Sequence, residues 1–120
     1  MSKKLWEATS QIKEESNLFA FEKFISKIHN YKPEKKYEKI FSWSIKNLNL
    51  FWSSLWDFAQ VKGIKNEKFY FPKKIIKSKF LINSKLNFSE NILSKRDNSK
   101  AITFISENGF REERSWKELN

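Results

Sequence analysis

Apolar positions at steps of three and four dominate the first half of the chain. Between residues 9 and 29, Phe21, Phe24, Ile25 and Ile28 follow helical spacing. Ser16 and Asn17 can cap a second piece beginning at Leu18, so this stretch reads as helix in one or two pieces. Lys32-Pro33-Glu34-Lys35-Lys36 is a polar break, and Pro33 disfavours helix at the residue before it. Tyr37, Ile40, Phe41 and Ser44 then mark a short helix over 37–45. The clearest pattern predicts a helix over 48–62. Leu48, Phe51, Trp52, Leu55, Trp56 and Ala59 fall on one stripe, Asn47 stands at the N-cap, and Gly63 stands where a left-handed C′ residue belongs. Burying one large apolar side chain contributes roughly 1.5–3 kcal/mol, so two tryptophans and a phenylalanine on one stripe demand a partner surface. Such a stripe is what a core face looks like, and the reading is packing rather than a ligand platform.

The pattern loosens in the second half. Residues 64–85, including Phe69-Tyr70-Phe71-Pro72, read as irregular or short extended pieces. Asn87-Phe88-Ser89-Glu90 opens a short helix over 88–94, with Asn87 as cap and Glu90 at the capping-box position. Lys95 to Lys100 is a polar loop. Ala101-Ile102-Thr103-Phe104-Ile105 is rich in strand formers, which predicts a strand over 101–106. Asn108-Gly109 predicts a type I′ turn, with positive φ at both residues, leading to a return strand over 110–114. Ser115-Trp116-Lys117-Glu118 is a capping box, and two residues follow it. A helix start is ordinarily followed by at least ~8 helical residues, so the expectation is a truncated helix from Ser115 in the front part of something longer. The fold class is α+β: a mainly helical first part, then a β-hairpin. At 120 residues there is room for one domain over 1–120.

Charge alters this picture little. The net charge is +10, from 24 Lys+Arg against 14 Asp+Glu. That balance suggests a basic module binding nucleic acid as one alternative. Against it, Arg96, Arg111 and Arg114 are the only arginines, and Arg is the side chain that reads guanine edges and phosphates in a bidentate way. The lysines are scattered, as at Lys35-Lys36, Lys73-Lys74 and Lys77, and nucleic acid is not the expected partner. Cysteine is absent, which excludes disulfides, thiolate metal sites and thiol nucleophiles and fits a reducing compartment. No run approaches the ~18 apolar residues of a membrane span. The start, Met1-Ser2-Lys3-Lys4-Leu5-Trp6-Glu7, has the charge of a signal peptide without its apolar stretch. The expectation is a cytoplasmic protein with no membrane partner.

The chemistry-bearing residues form no motif. A phosphate cradle needs several glycines with a Lys and a Ser or Thr, and Gly63 and Gly109 are the only glycines. His29 is the only histidine and has no acidic residue four positions away, so it reads as a surface or helix-end histidine rather than a metal ligand. Asp57 and Glu90 are the acids nearest aromatic residues, but nothing pairs them as an acid–base couple, and Glu90 has a structural task as capping residue. Counting leaves a Ser–His–acid triad open, although no serine has the glycines of a nucleophile elbow. No residue is assigned a catalytic, cofactor-binding or metal-binding role.

Three segments carry a resemblance. They are Leu5-Trp6-Glu7 with a helix ending in Phe24-Ile25; Tyr37-Glu38-Lys39-Ile40-Phe41-Ser42-Trp43-Ser44-Ile45 with Phe51-Trp52-Ser53-Ser54-Leu55-Trp56-Asp57-Phe58; and Lys85-Leu86-Asn87-Phe88-Ser89-Glu90-Asn91-Ile92-Leu93. In this order and spacing they resemble the N-terminal region of the acetoacetyl-CoA synthetases, a branch of the adenylate-forming acyl-CoA synthetases close to acetyl-CoA synthetase. The hairpin and the Ser-Trp-Lys-Glu-Leu ending are similar to that family too. The family's Trp-Phe-Pro-Gly appears here as Phe80-Leu81-Ile82-Asn83, and Asn is the next best residue to Gly in a left-handed turn, so the turn is expected to survive. The resemblance implies a two-step ligase that uses ATP, Mg and CoA in its full-length form. It implies that this chain is the N-terminal packing domain, inactive alone, whose partner is the large ATP-binding domain of the same polypeptide. An acetyl- or other acyl-CoA ligase is the alternative within the family. The family's phosphate loop, adenine-binding segments, hinge and catalytic lysine all lie beyond the matching region, so none of its functional residues transfers to a position here.

Overall fold

Ser16 divides the first helical stretch. In the computed structural model, which describes residues 5–120, α1 (Ser10–Glu15) and α2 (Asn17–Ile28) meet at this serine. Its Oγ donates to the Lys13 carbonyl at 2.7 Å and accepts from the Phe19 N–H at 3.2 Å, so one hydroxyl ends one helix and starts the next. Thr9 caps α1 in the same way, accepting from the Ile12 N–H. The basic start at residues 1–4 lies outside the described residues.

The chain forms two compact units. The first runs to Gln60 and takes in Asn66–Asn83; the second comprises Val61–Lys65 and Ser84–Asn120. The first holds α1, α2, α3 (Tyr37–Lys46) and α4 (Leu48–Phe58). Its core is Phe21 and Ile25 of α2 with Ile40 of α3, and Phe24, Tyr31, Trp43, Phe51, Leu55 and Phe58 pack around them. Phe21 meets Phe51 and Phe58 edge to face at 5.8 and 5.2 Å, a favoured aromatic geometry. The predicted stripe on α4 therefore finds its partner surface inside its own unit.

Two details of α4 depart from expectation. Asn47 is the joint between α3 and α4 rather than a side-chain N-cap: its Nδ2 donates to the Trp43 carbonyl at 2.9 Å, so it closes the preceding helix. The helix ends at Phe58, not 62. Gln60, with φ +52°, takes the left-handed position that the sequence suggests for Gly63. Gly63 instead enters β1 (Gly63–Ile64) of the second unit and pairs with Leu86. A Cβ there would lie 2.4 Å from the Lys85 carbonyl oxygen, so close approach of two backbones, not a helix end, requires the glycine.

Residues 66–83 of the first unit form a bridged excursion. Tyr70 and Lys79 exchange backbone hydrogen bonds of 2.9 and 2.8 Å, and the tip is a 3-10 turn at Ile75–Lys77. Trp52 of α4 contacts Phe80 edge to face at 4.7 Å, and Phe80 contacts Phe71 at 5.2 Å. Asn83 has φ +68°, so the left-handed turn survives where the resembling family has glycine. Leu81, with φ +45°, is left-handed as well.

The second unit contains β1 paired antiparallel with β2 (Lys85–Leu86), α5 (Phe88–Ile92), and a hairpin of β3 (Lys100–Ile105) and β4 (Arg111–Ser115). Asn87 caps α5 as expected, accepting from the Glu90 N–H at 3.2 Å. Asn91 acts as a substitute strand. Its Oδ1 accepts from the Lys62 N–H at 2.7 Å and its Nδ2 donates to the Lys62 carbonyl at 2.9 Å. The hairpin register pairs Ile105 with Arg111 and Phe104 with Glu112, with a bulge between Lys100 and Ile102.

The turn is not type I′, because Asn108 lacks a positive φ and Gly109 alone, at +82°, has one. Gly109 N–H donates to the Ser106 carbonyl at 3.0 Å, and Asn108 Oδ1 accepts from the Phe110 N–H at 3.1 Å. This is a three-residue loop closed by a left-handed glycine. The capping box forms reciprocally: Ser115 N–H donates to Glu118 Oε2 at 2.7 Å, and Glu118 N–H donates to Ser115 Oγ at 3.4 Å. The box opens onto a single 3-10 turn, Lys117–Leu119. Helices leading and a hairpin closing give the α+β class. Among the described residues no helix is long and apolar enough to cross a membrane.

Candidate functional site

Two groups with catalytic chemistry, His29 and Glu22, are engaged in tying parts of the helical unit together. His29 is the C-cap residue of α2, as its position suggested, and its Nε2 lies 2.7 Å from Ser54 Oγ. Trp43 covers the imidazole at 5.8 Å between ring centroids. A Ser–His pair is the first requirement of a hydrolase site. Ser54, however, sits on the inner face of α4 and is 2% exposed, so a substrate carbonyl cannot reach its hydroxyl. The pair ties the end of α2 to the middle of α4. The two residues are 25 positions apart, and only the fold brings them together.

Glu22 is the second such group. It is buried in α2, and its Oε2 accepts the backbone N–H groups of Glu34 and Lys35 at 3.0 and 3.1 Å. These two bonds fix the break between α2 and α3, where Lys35 is left-handed at φ +54°. Its other oxygen and the Tyr31 hydroxyl are both buried without a hydrogen-bond partner. Burial, followed by the nearby Glu22 and Glu34 carboxylates, pushes the Tyr31 hydroxyl up to about 12. A carboxylate already engaged by two amides is a structural anchor, not a free base.

The two acids singled out in the sequence are exposed. Asp57 lies in the last turn of α4 in the first unit, and Glu90 lies in α5 of the second. Four other carboxylates are held below their ordinary range by surface partners: Glu113 by Lys100 and Arg111, Glu14 by Lys35, Asp97 by Ser99, and Glu118 by the Ser115 N–H and hydroxyl. No group of three or more His, Asp or Glu side chains that could hold a metal ion occurs among the described residues.

Apolar surface is the more prominent feature. In the first unit, Leu48, Trp52, Phe71, Pro72, Ile75 and Phe80 line an open groove of about 370 Å³. In the second unit no described residue is buried, while Phe88, Ile102, Phe104, Ile105 and Phe110 are exposed. A unit of about 40 residues stands near the size at which a core alone seldom suffices. A contiguous exposed apolar patch is one mark of a contact surface. The sequence pattern did not reveal this, because strand alternation identifies two faces without saying that both stay uncovered.

No family model matches the chain, and no solved structure matches it. It is similar to the acetoacetyl-coenzyme A synthetase of Rhizobium meliloti (strain 1021), with 29% identity over 84 residues. The matched stretch is 69% of this chain and 13% of that protein, so the chain spans a small fraction of the relative's length.

Proposed function

We propose that this chain is the N-terminal packing segment of an ATP-dependent acetoacetate–CoA ligase, inactive alone. The observation that carries the reading is the match itself: it takes in most of this chain and 13% of a protein named for acetoacetyl-CoA synthesis. The uncovered apolar side chains of the second unit support it, since they suit a segment that packs on a larger body. In the full-length enzyme the acetoacetate carboxylate would attack the α-phosphorus of ATP, forming acetoacetyl-adenylate and releasing pyrophosphate. The CoA thiol would then displace AMP to form the thioester. ATP, Mg and CoA belong to that enzyme, and no residue of this chain is assigned to them. The partner in this reading is the large ATP-binding domain of the same polypeptide, in the cytoplasm.

Two measurements test this. The purified 120-residue chain should show no acetoacetate-dependent exchange of pyrophosphate into ATP, and exchange by the chain alone would overturn the assignment. Grafted into the Rhizobium enzyme in place of the matching stretch, it should preserve that exchange. A soluble, folded chimera without exchange refutes the packing role.

A further inference from the structure

The excursion in the first unit has a distinctive chemistry. From Lys68 to Asn83 it carries five lysines, at 68, 73, 74, 77 and 79, and no acidic residue. At its tip two adjacent isoleucines face solvent, Ile75 at 85% and Ile76 at 91% exposure. Lys73, Lys74, Lys77 and Lys79 flank them and are exposed. Among the described residues none of these four lysines takes part in an ion pair. The Tyr70–Lys79 bridge and the Trp52–Phe80 contact hold the base of the loop, and Ile75 stands at the open rim of the Trp52 groove with most of its side chain in solvent.

We propose that this tip docks on an anionic lipid surface. Ile75 and Ile76 enter the boundary between head groups and acyl chains, and Lys73, Lys74, Lys77 and Lys79 lie at the level of the phosphates. Charge complementarity identifies the occupant: a short aliphatic wedge flanked by four lysines, with no acidic residue from 68 to 83, matches an apolar layer beneath a negative one. Lysine suits this better than arginine, because its long apolar stem follows the wedge inward while its ammonium stays at the surface. An acidic protein would meet the charges too, but two adjacent isoleucines so fully exposed would need a matching cavity there, whereas a fluid bilayer needs none. The proposal departs from the expectation of no membrane partner; the lack of a spanning segment does not oppose it, because lying on a surface requires none.

The test is flotation of the 120-residue chain with vesicles of phosphatidylcholine alone and of phosphatidylcholine doped with phosphatidylserine. Binding is expected on the doped vesicles and is expected to fall steeply with added salt. The pair Ile75→Ser and Ile76→Ser leaves charge unchanged and alters only exposed positions. It should lower the partition coefficient at least about tenfold. Lys73→Gln with Lys74→Gln should lower it roughly fivefold per lysine removed. Circular dichroism confirms that each variant is folded. Vesicle binding that ignores the serine pair overturns the proposal, since net charge alone would then explain it. Absence of binding to the doped vesicles also overturns it. If polyglutamate then binds through the same isoleucines, the surface belongs to an acidic protein instead.

Discussion

Replacing Gly63 separates two accounts of the end of α4. If Gly63 were a helix C′ residue, asparagine would serve there almost as well, because Asn tolerates the left-handed region. In the structure Gly63 is a strand residue at φ +157°, facing Leu86 across the β1–β2 pair. A Cβ would stand 2.4 Å from the Lys85 carbonyl oxygen and 3.0 Å from Leu86 Cβ. The closer of these is backbone, so relief requires β1 and β2 to part by more than half an ångström. Strain of this kind costs about 1–3 kcal/mol, and separation of so short a pair would add the loss of its hydrogen bonds. Gly63→Ala and Gly63→Asn should therefore destabilise alike. Gln60→Gly should do the opposite, because Gln60 holds the left-handed conformation at φ +52° and glycine adopts it without a Cβ penalty. Its expected gain is below about 1 kcal/mol. Urea denaturation supplies the free energies, and amide exchange at Ile64 and Lys85 reports the strand pair directly. A neutral Gly63→Asn together with a destabilising Gln60→Gly would refute the argument.

Two more outcomes concern side chains placed by the fold. Asn91→Ala removes both bonds to Lys62, at about 0.5–1.5 kcal/mol each, and should raise amide exchange at Lys62 while leaving the Ile25 amide protected. Exchange at Lys62 unchanged by the substitution would contradict this. Tyr31 should ionise near 12 in an ultraviolet titration, above the ordinary 10. The raised value means that the folded state keeps the proton more firmly. The associated stability is therefore whole below pH 10 and is lost as the pH rises from about 10 to about 12, with the sign reversed if Tyr31 titrates early.

What the sequence made legible was local. Helical spacing placed α2, α3 and α4 because Phe21, Ile25, Ile40, Phe51 and Leu55 share one core, and the period records which side faces it. Ser115 and Glu118 were readable as a capping box because both partners lie within one turn. The misplaced details have different causes. Gly63 was given a role by its neighbours in sequence, while its structural role depends on the distant Lys85. Asn47 has its partner Trp43 within one turn, but the side chain turns to the preceding helix rather than the following one. Asn108-Gly109 carries a strong turn signal, yet the Asn108 side chain caps the Phe110 amide and one left-handed residue suffices. The largest omissions, Glu22 holding Glu34 and Lys35 and His29 holding Ser54, span 12 to 25 positions and leave no periodic trace. The reason Ser54 cannot act as a nucleophile was not legible either, because burial is a property of the fold.

The route of the chain between its units limits how the protein can be taken apart. Residues 61–65 belong with the second unit, yet both 1–60 and 66–83 belong with the first. A fragment ending at Gln60 loses the excursion whose Phe80 covers Trp52. One beginning at Ser84 loses the strand that pairs with Lys85 and Leu86. No single cut, by protease or by cloning, yields either unit whole, so dissection of this protein calls for a rearranged gene rather than a shorter one.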